Sequence, residues 1–458
     1  MVLLIPLMLS LFMANLDQTI VSTALPSIGK DLHAGTGVSW IASAYLLTGS
    51  VSTLLSGKLG DLYGRKRILQ LSVTVFLVGS LLSGFAGTLS VLAFSRALQG
   101  VGGGAITSLV MAITGDLASP RRRARLQAAL GAVAAVALIA GPLCGGAFSD
   151  GLSWRWIFFV NLPIGVLALL AVAVKLHLPG PAAVEGRIDL LGAVTVTTFT
   201  TAVVLVTTWG GHEHPWSSPV VLGLAALGAV ALVCYLVVEH RAAEPITPPH
   251  LFRSADFALA AAQFLLASLV LMAAMLYVPM FLQTVQRKSA FTAGLYVIPL
   301  LLGLVAAAVL SGLLITRTGR YKAYPVAGAI LVAASMAVLG RADEGTGAVA
   351  LIVPLAVAGI GLGFFVQVCL LVGQYAVGQD HIGTATGVLN FFRSLGGAFG
   401  AALFGAILTA GTHGSIAAFQ AVFSWTIPFM ALALALALLI REHPLPDAVE
   451  PARIGRSA

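Results

Sequence analysis

Three charged residues lie inside long apolar stretches of the sequence, where a charge is costly to keep. Asp17 is the only carboxylate well inside such a stretch, and Arg96 and Arg393 are the basic residues inside one. An aspartate at the centre of a bilayer costs about 2.5–3.5 kcal/mol, and burial there favours its neutral form. Asp17 is therefore predicted to bind and release a proton. The alternative is a structural aspartate that is hydrogen-bonded to a neighbouring helix.

Arg96 needs an anion or several carbonyl groups around it, because an arginine does not give up its proton in a protein. A direct ion pair with Asp17 is one hypothesis. Such a pair would favour the ionised carboxylate. If substrate binding or a conformational change breaks the pair, protonation of Asp17 becomes linked to transport. A permanent structural ion pair is the alternative.

The composition places these residues in a membrane protein. Of the 458 residues, 59% are hydrophobic and only 9% are charged, whereas a soluble domain carries roughly 25% charged residues. So little charge cannot cover a surface that faces water. The three cysteines lie far apart, and their spacing predicts neither a metal site nor a redox motif. The sequence also contains no HExxH, P-loop, nucleophile elbow or CxxC segment, so neither an enzyme nor a cofactor is predicted.

Fourteen apolar runs are long enough to cross the hydrocarbon core of a bilayer, which takes about 20 residues. An even number of crossings puts both termini on one side. Most Lys and Arg residues lie in loops on that side, so the positive-inside rule predicts cytoplasmic termini. The net charge of +8 is thereby explained without a nucleic-acid partner. The runs are 3–26, 38–56, 69–87, 90–114, 127–148, 156–176, 189–209, 218–238, 257–281, 290–312, 323–340, 347–371, 384–410 and 420–440.

A weak internal repeat relates two of the predicted loops. Gly57–Arg65 follows the second run and Gly312–Arg320 follows the tenth, with Gly, Leu, Gly and Arg at matching offsets. Repeated halves with a site between them are a common transporter architecture. The predicted fold is an all-α integral membrane protein of two six-helix bundles with two inserted helices. Its predicted units are the first bundle (1–177), the inserted helices (178–245), the second bundle (246–441) and a tail (442–458).

Several segments, in the expected order, resemble signatures of the major facilitator superfamily. GKLGDLYGRKRIL at 57–69 closely resembles its loop signature. The fourteen-helix drug:proton antiporter branch is similar in LDQTIVSTALPSI (16–28), RALQGVGGG (96–104), GPLCGG (141–146) and WRWIFFVNLPIG (154–165). The resemblance covers nearly the whole chain. It implies export by alternating access in exchange for protons, with Arg96 near the cavity and part of the coupling.

The first repeated loop is interpreted as a gate. Its three glycines, including Gly60, are expected to let the backbone turn tightly between two helices. Asp61 is then expected to face the positive N-terminal end of a helix in the other bundle, which the resemblance places near Gly383 and Thr384. This latch would favour an outward-open state, and a plain solvated basic loop is the alternative. The gate residues are Gly57, Asp61, Gly64 and Arg65.

Two further groups of residues are candidates for function. A glycine- and proline-rich segment predicts a kinked, closely packed helix, and the resemblance implies that this helix seals the two bundles, as in antiporters. It contains Gly141, Pro142, Gly145 and Gly146. Polar residues elsewhere in the runs are candidates for a substrate cavity, although such residues also hydrogen-bond helices to one another. They are Asn15, Gln263, Tyr277, Gln367, Asn390 and Arg393.

Together, these residues and the resemblance predict a proton-coupled antiporter in the bacterial cytoplasmic membrane. The resemblance implies lipophilic drugs or dyes as substrates. Some members of the family that export divalent cations carry a second acidic residue in the tenth span, and 290–312 contains none, so monocationic or neutral substrates are expected. The alternatives are a dedicated exporter of one metabolite or self-made antibiotic and, with less support, a non-transporting sensor or a membrane enzyme. The expected partners are a small-molecule substrate, protons and the lipid bilayer, with no nucleic acid, cofactor or metal. A monomer is expected.

Overall fold

The computed structural model describes most of the chain, and its regular structure is helical. One isolated bridge between Gly210 and His214 is the exception among the described residues. These residues are 4–33, 39–117, 120–176, 178, 189–211, 214–242, 245–288, 290–377, 381–410 and 415–442.

The first seven helices pack together as an N-terminal bundle. In it, α4 lies against α2 and α3, while α1 lies against α5 and α7. Close contact between α2 and α4 depends on glycine, because a side chain at Gly104 would overlap the backbone of Gly49. The helices are α1 (Ile5–Asp31), α2 (Ser39–Tyr63), α3 (Arg65–Gly84), α4 (Leu89–Leu117), α5 (Pro120–Gly151), α6 (Trp156–Phe159) and α7 (Asn161–Lys175).

The last seven helices form a C-terminal bundle around one large apolar core. Here α14 lies against α12 and α13, while α10 lies against α15. A short 3₁₀ helix, Pro249–Arg253, precedes the bundle. Its helices are α10 (Ala255–Thr284), α11 (Ala290–Leu295), α12 (Ile298–Thr318), α13 (Ala323–Leu339), α14 (Ala348–Tyr375), α15 (Ile382–Ala410) and α16 (Ile416–Leu439).

Two helices between the bundles, α8 (Leu190–Trp209) and α9 (Pro219–Arg241), pack against each other as a hairpin, here called the insert. α8 contacts both α2 and α15, so the insert covers one flank of the seam between the bundles. Trp209 at the end of α8 meets Trp40 of α2 edge to face, with ring centroids 5.5 Å apart. At the end of α9, Glu239 accepts a hydrogen bond from the backbone N–H of Thr247 at 2.9 Å and so fixes the connection to the C-terminal bundle.

The surface of the molecule is that of a membrane protein. Among the described residues, ten helices or helix pairs are long and apolar enough to cross a membrane, and three shorter apolar helices accompany them. α9 exposes Leu222, Val230 and Val233 by 57–61%, and an apolar face of this extent requires a lipid environment. The all-helical membrane fold predicted from the sequence is confirmed, and the number of crossings stays a prediction.

The predicted turn through three glycines is wrong, because α2 remains helical as far as Tyr63. Only Gly64 leaves the helix, with a φ of +92°, a conformation that glycine adopts without steric cost. Gly57 and Gly60 instead lie inside α2 and allow close packing. In the second repeated segment, Gly319 ends α12 with a φ of +69°. Each repeat therefore has one glycine with a positive φ between two consecutive helices. We call the end of the molecule at which Gly64 lies the Gly64 end.

At the opposite end, Asp31 ties the end of α1 to the segment before α6. It accepts hydrogen bonds from Trp154 Nε1 at 3.0 Å and from Arg155 Nη1 at 2.9 Å. The Trp154 indole, followed by the Arg155 guanidinium, lowers the pKa of the Asp31 carboxyl group. Arg155 also donates to the carbonyl oxygen of Ala86. These contacts join three segments of the N-terminal bundle at what we call the Asp31 end.

Candidate functional site

Asp17 and Arg96 form an ion pair in the interior of the N-terminal bundle. Asp17 lies on α1 and is fully buried, and Arg96 lies on α4 and is 2% exposed. Arg96 Nη1 donates to Asp17 Oδ2 at 2.5 Å. The direct contact hypothesised from the sequence is therefore present in this structure.

Two neutral amides complete the surroundings of the Asp17 carboxylate. Gln99 Nε2 donates to Asp17 Oδ1 at 3.1 Å, and Asn161 Nδ2 donates to the same oxygen at 2.8 Å. Asn161 also donates to Ser80 Oγ at 3.0 Å. A buried ion pair is tolerated only when further hydrogen bonds satisfy its remaining polar atoms. These amides supply such bonds without adding charge.

Neutral groups also surround the Arg96 guanidinium beyond Asp17. Its Nε donates to the carbonyl oxygen of Ile41 at 3.3 Å, and its Nη1 donates to Gln99 Oε1 at 3.0 Å. The ring of Tyr45 lies 4.4 Å from Arg96 Cζ, close enough for a cation–π contact. The site therefore combines one fixed positive charge with one carboxylate that can be neutralised.

A cavity of about 160 Å³ lies beside Arg96. It has room for several water molecules. Most of its lining is apolar, and Gln18 at its edge is exposed. The cavity therefore has space for water, or for part of a small lipophilic molecule, beside Arg96. It is lined by Gln18, Val21, Leu25, Ala42, Tyr45, Leu46 and Arg96.

Asp61 joins the two bundles at the Gly64 end. Its Oδ2 accepts hydrogen bonds from the backbone N–H of Thr384 at 2.7 Å and from Thr384 Oγ1 at 2.8 Å. Thr384 lies in the first turn of α15, where the helix dipole favours a negative charge. The contact expected from the sequence is thus present. Arg65 holds Asp61 from the other side at 2.7 Å and also pairs with Asp116, a partner that the sequence analysis missed.

A second polar contact closes the same end. Gln127 Nε2 of α5 donates to Gln374 Oε1 of α14 at 2.9 Å. Gln374 Nε2 in turn donates to Thr386 Oγ1 of α15 at 2.8 Å and to the carbonyl oxygen of Met111 on α4 at 3.2 Å. Both glutamines are buried. Two helices from each bundle are thus connected through amides that the sequence analysis did not identify.

Gly57 lies where α2 and α15 approach each other closely. A Cβ atom placed there would lie 3.0 Å from the carbonyl carbon of Gly383 and 3.3 Å from Gly387 Cα. We expect Gly57→Ala to lower the free energy of unfolding by about 1–3 kcal/mol, the usual cost of overpacking. Thermal unfolding in detergent tests this, with Gly131→Ala of α5 as the matched control because nothing lies within 4 Å of that position. Equal melting temperatures for both variants would contradict the prediction.

The glycine-rich segment of α5 packs against its own bundle. At Gly141, an added side chain would overlap Thr19 and the backbone of Ile20 on α1, so the predicted close packing is present there. Gly145 is buried in the same continuous helix. The surroundings of Pro142 and Gly146 lie outside the described part of the structure. α5 meets the other bundle at α12, and its role as a seal stays a prediction.

The six predicted cavity residues are divided between the bundles. Three of them donate to backbone carbonyl groups: Asn15 to Leu11 at 2.8 Å, Tyr277 to Ala401 at 2.7 Å, and Asn390 to Thr386 at 3.0 Å. Only the Tyr277 bond joins two helices, as in the structural alternative, while Asn15 and Asn390 bond within their own helices. Whether these three also contact a substrate stays a prediction.

The remaining cavity candidates lie in the C-terminal bundle. Gln263 and Gln367 are buried, and Gln263 Oε1 accepts a weak hydrogen bond from Cys369 Sγ at 3.7 Å. The Arg393 guanidinium lies 5.9 Å from the ring of Phe264, and among the described residues it has no ion-pair partner. The described residues also contain no group of three His, Cys, Asp or Glu side chains placed to hold a metal ion.

Comparison with known proteins identifies the family. Residues 7–401 match the model of the Major Facilitator Superfamily. The uncharacterized MFS-type transporter Rv1877 of Mycobacterium tuberculosis (strain ATCC 25618 / H37Rv) is 41% identical over 403 residues, which are 88% of this chain and 58% of that protein. This chain thus spans less than two thirds of that relative. The multidrug transporter protein MdtP of Bacillus subtilis (strain 168) is 32% identical over 407 residues, which are 88% of this chain and 74% of MdtP.

The fold agrees with this assignment. The crystal structure of the human organic anion transporter MFSD10 superposes with a TM-score of 0.69 at 16% sequence identity, covering 95% of this chain and 99% of that one. An identity this low supports the fold alone. The proteins matched by the family model and by sequence are transporters and not enzymes. The chain therefore belongs to the major facilitator superfamily and is a multi-pass membrane protein.

Proposed function

We propose that this transporter is a proton-coupled antiporter that exports lipophilic, neutral or monocationic small molecules by alternating access. The observation that carries the proposal is the buried pair of Asp17 and Arg96, which lies beside a cavity among neutral amides. Because arginine keeps its proton, the pair has no net charge when Asp17 is ionised. It carries one positive charge when Asp17 is protonated.

This change of charge favours an exchange of protons for a cation. Two like unit charges about 8 Å apart repel each other by about 2 kcal/mol at an effective dielectric constant of 20, which weakens binding about thirtyfold. Protonation of Asp17 from outside would therefore expel a bound cation, and loss of the proton inside would restore affinity. A neutral lipophilic substrate would compete mainly through the shared cavity.

The arrangement of basic residues supports the direction of transport. Basic residues cluster at the Gly64 end, so we assign this end to the cytoplasm by the positive-inside rule. In this proposal the chain crosses a bacterial inner membrane fourteen times, and both termini lie on the cytoplasmic side. The contacts of Asp61 and Gln374 with the other bundle then close the cytoplasmic side, as in an outward-facing state. The cluster includes Arg65, Lys66, Arg67, Arg320 and Lys322.

The name of one relative supports broad export over a single metabolite. MdtP is named a multidrug transporter, and its similarity extends over most of both chains. The mainly apolar lining of the cavity beside Arg96 also suits lipophilic molecules better than strongly polar metabolites. A dedicated exporter stays the second candidate.

Uptake of ethidium into acid-loaded proteoliposomes tests the proposal. We expect wild-type uptake to depend on the pH gradient, and Asp17→Asn to reduce it about tenfold or more because an amide cannot take up a proton. Asp31→Asn is the matched control, since it neutralises a carboxylate on the same helix outside the site, and we expect it to keep the wild-type rate. Wild-type uptake by Asp17→Asn would contradict the role of Asp17. No ethidium transport by folded wild type would favour the dedicated exporter.

A further inference from the structure

We propose that Asn161 is the positioning residue that holds Asp17 in both of its protonation states. Its side-chain amide donates a hydrogen bond to the ionised carboxylate and, after a half-turn, accepts one from the protonated carboxyl group. This inference rests on the proposed proton coupling at Asp17. It assigns a role to a residue that the ion pair alone does not explain.

The protonated form of Asp17 requires a hydrogen-bond acceptor. In the ionised form, the carboxylate accepts from Arg96, Gln99 and Asn161. Protonation turns one of its oxygens into a donor, and a buried donor without an acceptor is costly. Asp17 and Asn161 are both fully buried, and neither of them lines the cavity beside Arg96. A neighbouring side chain is therefore the nearest source of an acceptor.

Asn161 is the neighbour whose acceptor is unused. Gln99 Oε1 already accepts from Arg96 Nη1 at 3.0 Å and from Ser83 Oγ at 3.1 Å, which occupies both of its lone pairs. The Arg96 guanidinium has donors only. By contrast, Asn161 Oδ1 is buried and has no hydrogen-bond partner among the described residues.

A half-turn of the Asn161 amide exchanges its donor for its acceptor at the same position. Before the turn, Nδ2 donates to Asp17 Oδ1 at 2.8 Å and to Ser80 Oγ at 3.0 Å. After it, Oδ1 accepts from the protonated Asp17 and from the Ser80 hydroxyl, which turns away from the carbonyl oxygen of Phe158 that it now contacts at 2.9 Å. Nδ2 then takes the place of the unpartnered Oδ1. One amide atom of Asn161 is thus unsatisfied in either state, whereas without the turn the carboxyl donor of Asp17 would be unsatisfied as well. The proton stays on Asp17 throughout. The same turn at Gln99 would break its bonds to two donors.

The local chain explains why an asparagine reaches this position. Val160 separates α6 from α7, and Asn161 is the first residue of α7. Pro163 follows in the first turn, where its missing N–H is not needed for a helical hydrogen bond. The backbone stays helical at Val160, with φ −61° and ψ −25°, and the start of α7 lies at the Asp17 carboxylate. The short Asn161 side chain then spans the remaining distance.

Infrared difference spectra of the full-length protein in lipid, recorded on acidification, test the proposal directly. We expect the wild type to gain a carboxyl C=O band that Asp17→Asn lacks. In Asn161→Leu, the band should move to higher frequency because the carboxyl group has lost its acceptor. Ser72→Ala is the control on α3, since its hydroxyl binds the carbonyl group of Ile68 in its own helix, and should leave the band in place. A band at the wild-type position in Asn161→Leu would overturn the inference.

Transport separates this role from a structural one. We expect Asn161→Leu to retain ethidium counterflow when both sides of the membrane are at the same alkaline pH. Its gradient-driven ethidium uptake should fall about tenfold, which corresponds to the loss of one hydrogen bond to the protonated carboxyl group. Loss of both activities together with a lower melting temperature would assign Asn161 a structural role and overturn the inference. If the acid-induced carboxyl band persists in Asp17→Asn, the proposed coupling at Asp17 fails first. If Asp17→Asn lacks the band but Asn161→Leu leaves it at the wild-type position, the proposed function stands and this inference falls.

Discussion

Arg96→Met is expected to stop gradient-driven transport and to destabilise the protein strongly. Removing one partner of a buried ion pair leaves the other charge uncompensated, which costs about 3–5 kcal/mol. Without the fixed positive charge of Arg96, protonation of Asp17 would no longer make the site positive, so it would not expel a bound cation. The substitution also removes the bonds of Arg96 to Ile41 and Gln99 and its contact with Tyr45. Thermal unfolding and ethidium uptake measure the two effects separately.

A double substitution distinguishes the ion pair from simple packing. In Arg96→Met with Asp17→Asn, neither charge remains, so we expect most of the lost stability to return while transport stays absent. The difference between the stability change of the double variant and the sum of the two single changes measures the interaction of Arg96 with Asp17. If the double variant were as unstable as Arg96→Met alone, the cost would come from lost packing and not from an uncompensated carboxylate. Wild-type transport by Arg96→Met would contradict the proposed mechanism.

Asp61→Asn is expected to open the Gly64 end. Hydrogen bonds to a charged group contribute about 1.5–3 kcal/mol each, and Asp61 makes two such bonds to Thr384 in the other bundle. An asparagine keeps one acceptor but loses the charge, so we expect a net loss of about 3 kcal/mol. This loss shifts the equilibrium between closed and open forms about a hundredfold.

Spin labels on the two bundles measure this shift. Arg125 of α5 and Arg317 of α12 are both exposed at the Gly64 end, so Arg125→Cys and Arg317→Cys in a background without the native cysteines report the distance between the bundles. We expect one short distance in the wild type and an additional longer one in Asp61→Asn. Asp343→Asn, in the exposed turn before α14, is the control. An unchanged distance distribution in Asp61→Asn would show that the latch does not hold the closed form.

The ion pair was predictable because charge is conspicuous in an apolar run. Asp17 and Arg96 stand out for the cost of placing them in lipid, and this cost suggested that they meet. Gln99 and Asn161 lie inside the quoted segments 96–104 and 154–165 but carry no comparable signal. Neutral amides commonly hydrogen-bond one transmembrane helix to another. Only the coordinates show that both of them reach the same carboxylate oxygen.

Glycine gave the least reliable prediction. The same residue allows a turn and allows close packing, and the sequence of 57–64 did not distinguish these uses. In the structure, Gly57 packs against α15 while Gly64 alone makes the turn. The contact between Gln127 and Gln374 was beyond prediction for another reason, since their separation along the chain gives no indication that they pair. The helices themselves were recognisable from the length of their apolar runs.

The insert contacts both halves of a molecule whose proposed cycle requires those halves to move relative to each other. Several threonine hydroxyls of α8, including Thr195, Thr197 and Thr198, donate to carbonyl groups of α8 itself. Because these donors are satisfied within the helix, they are not used to bind α2 or α15. The dispersion contacts of α8 with α2 and α15 do not depend on particular pairs of atoms. They can therefore form again after a small displacement of either helix. If the bundles move as proposed, we therefore expect either of them to shift against α8 without breaking hydrogen bonds of these threonines, while α8 keeps covering the flank of the seam.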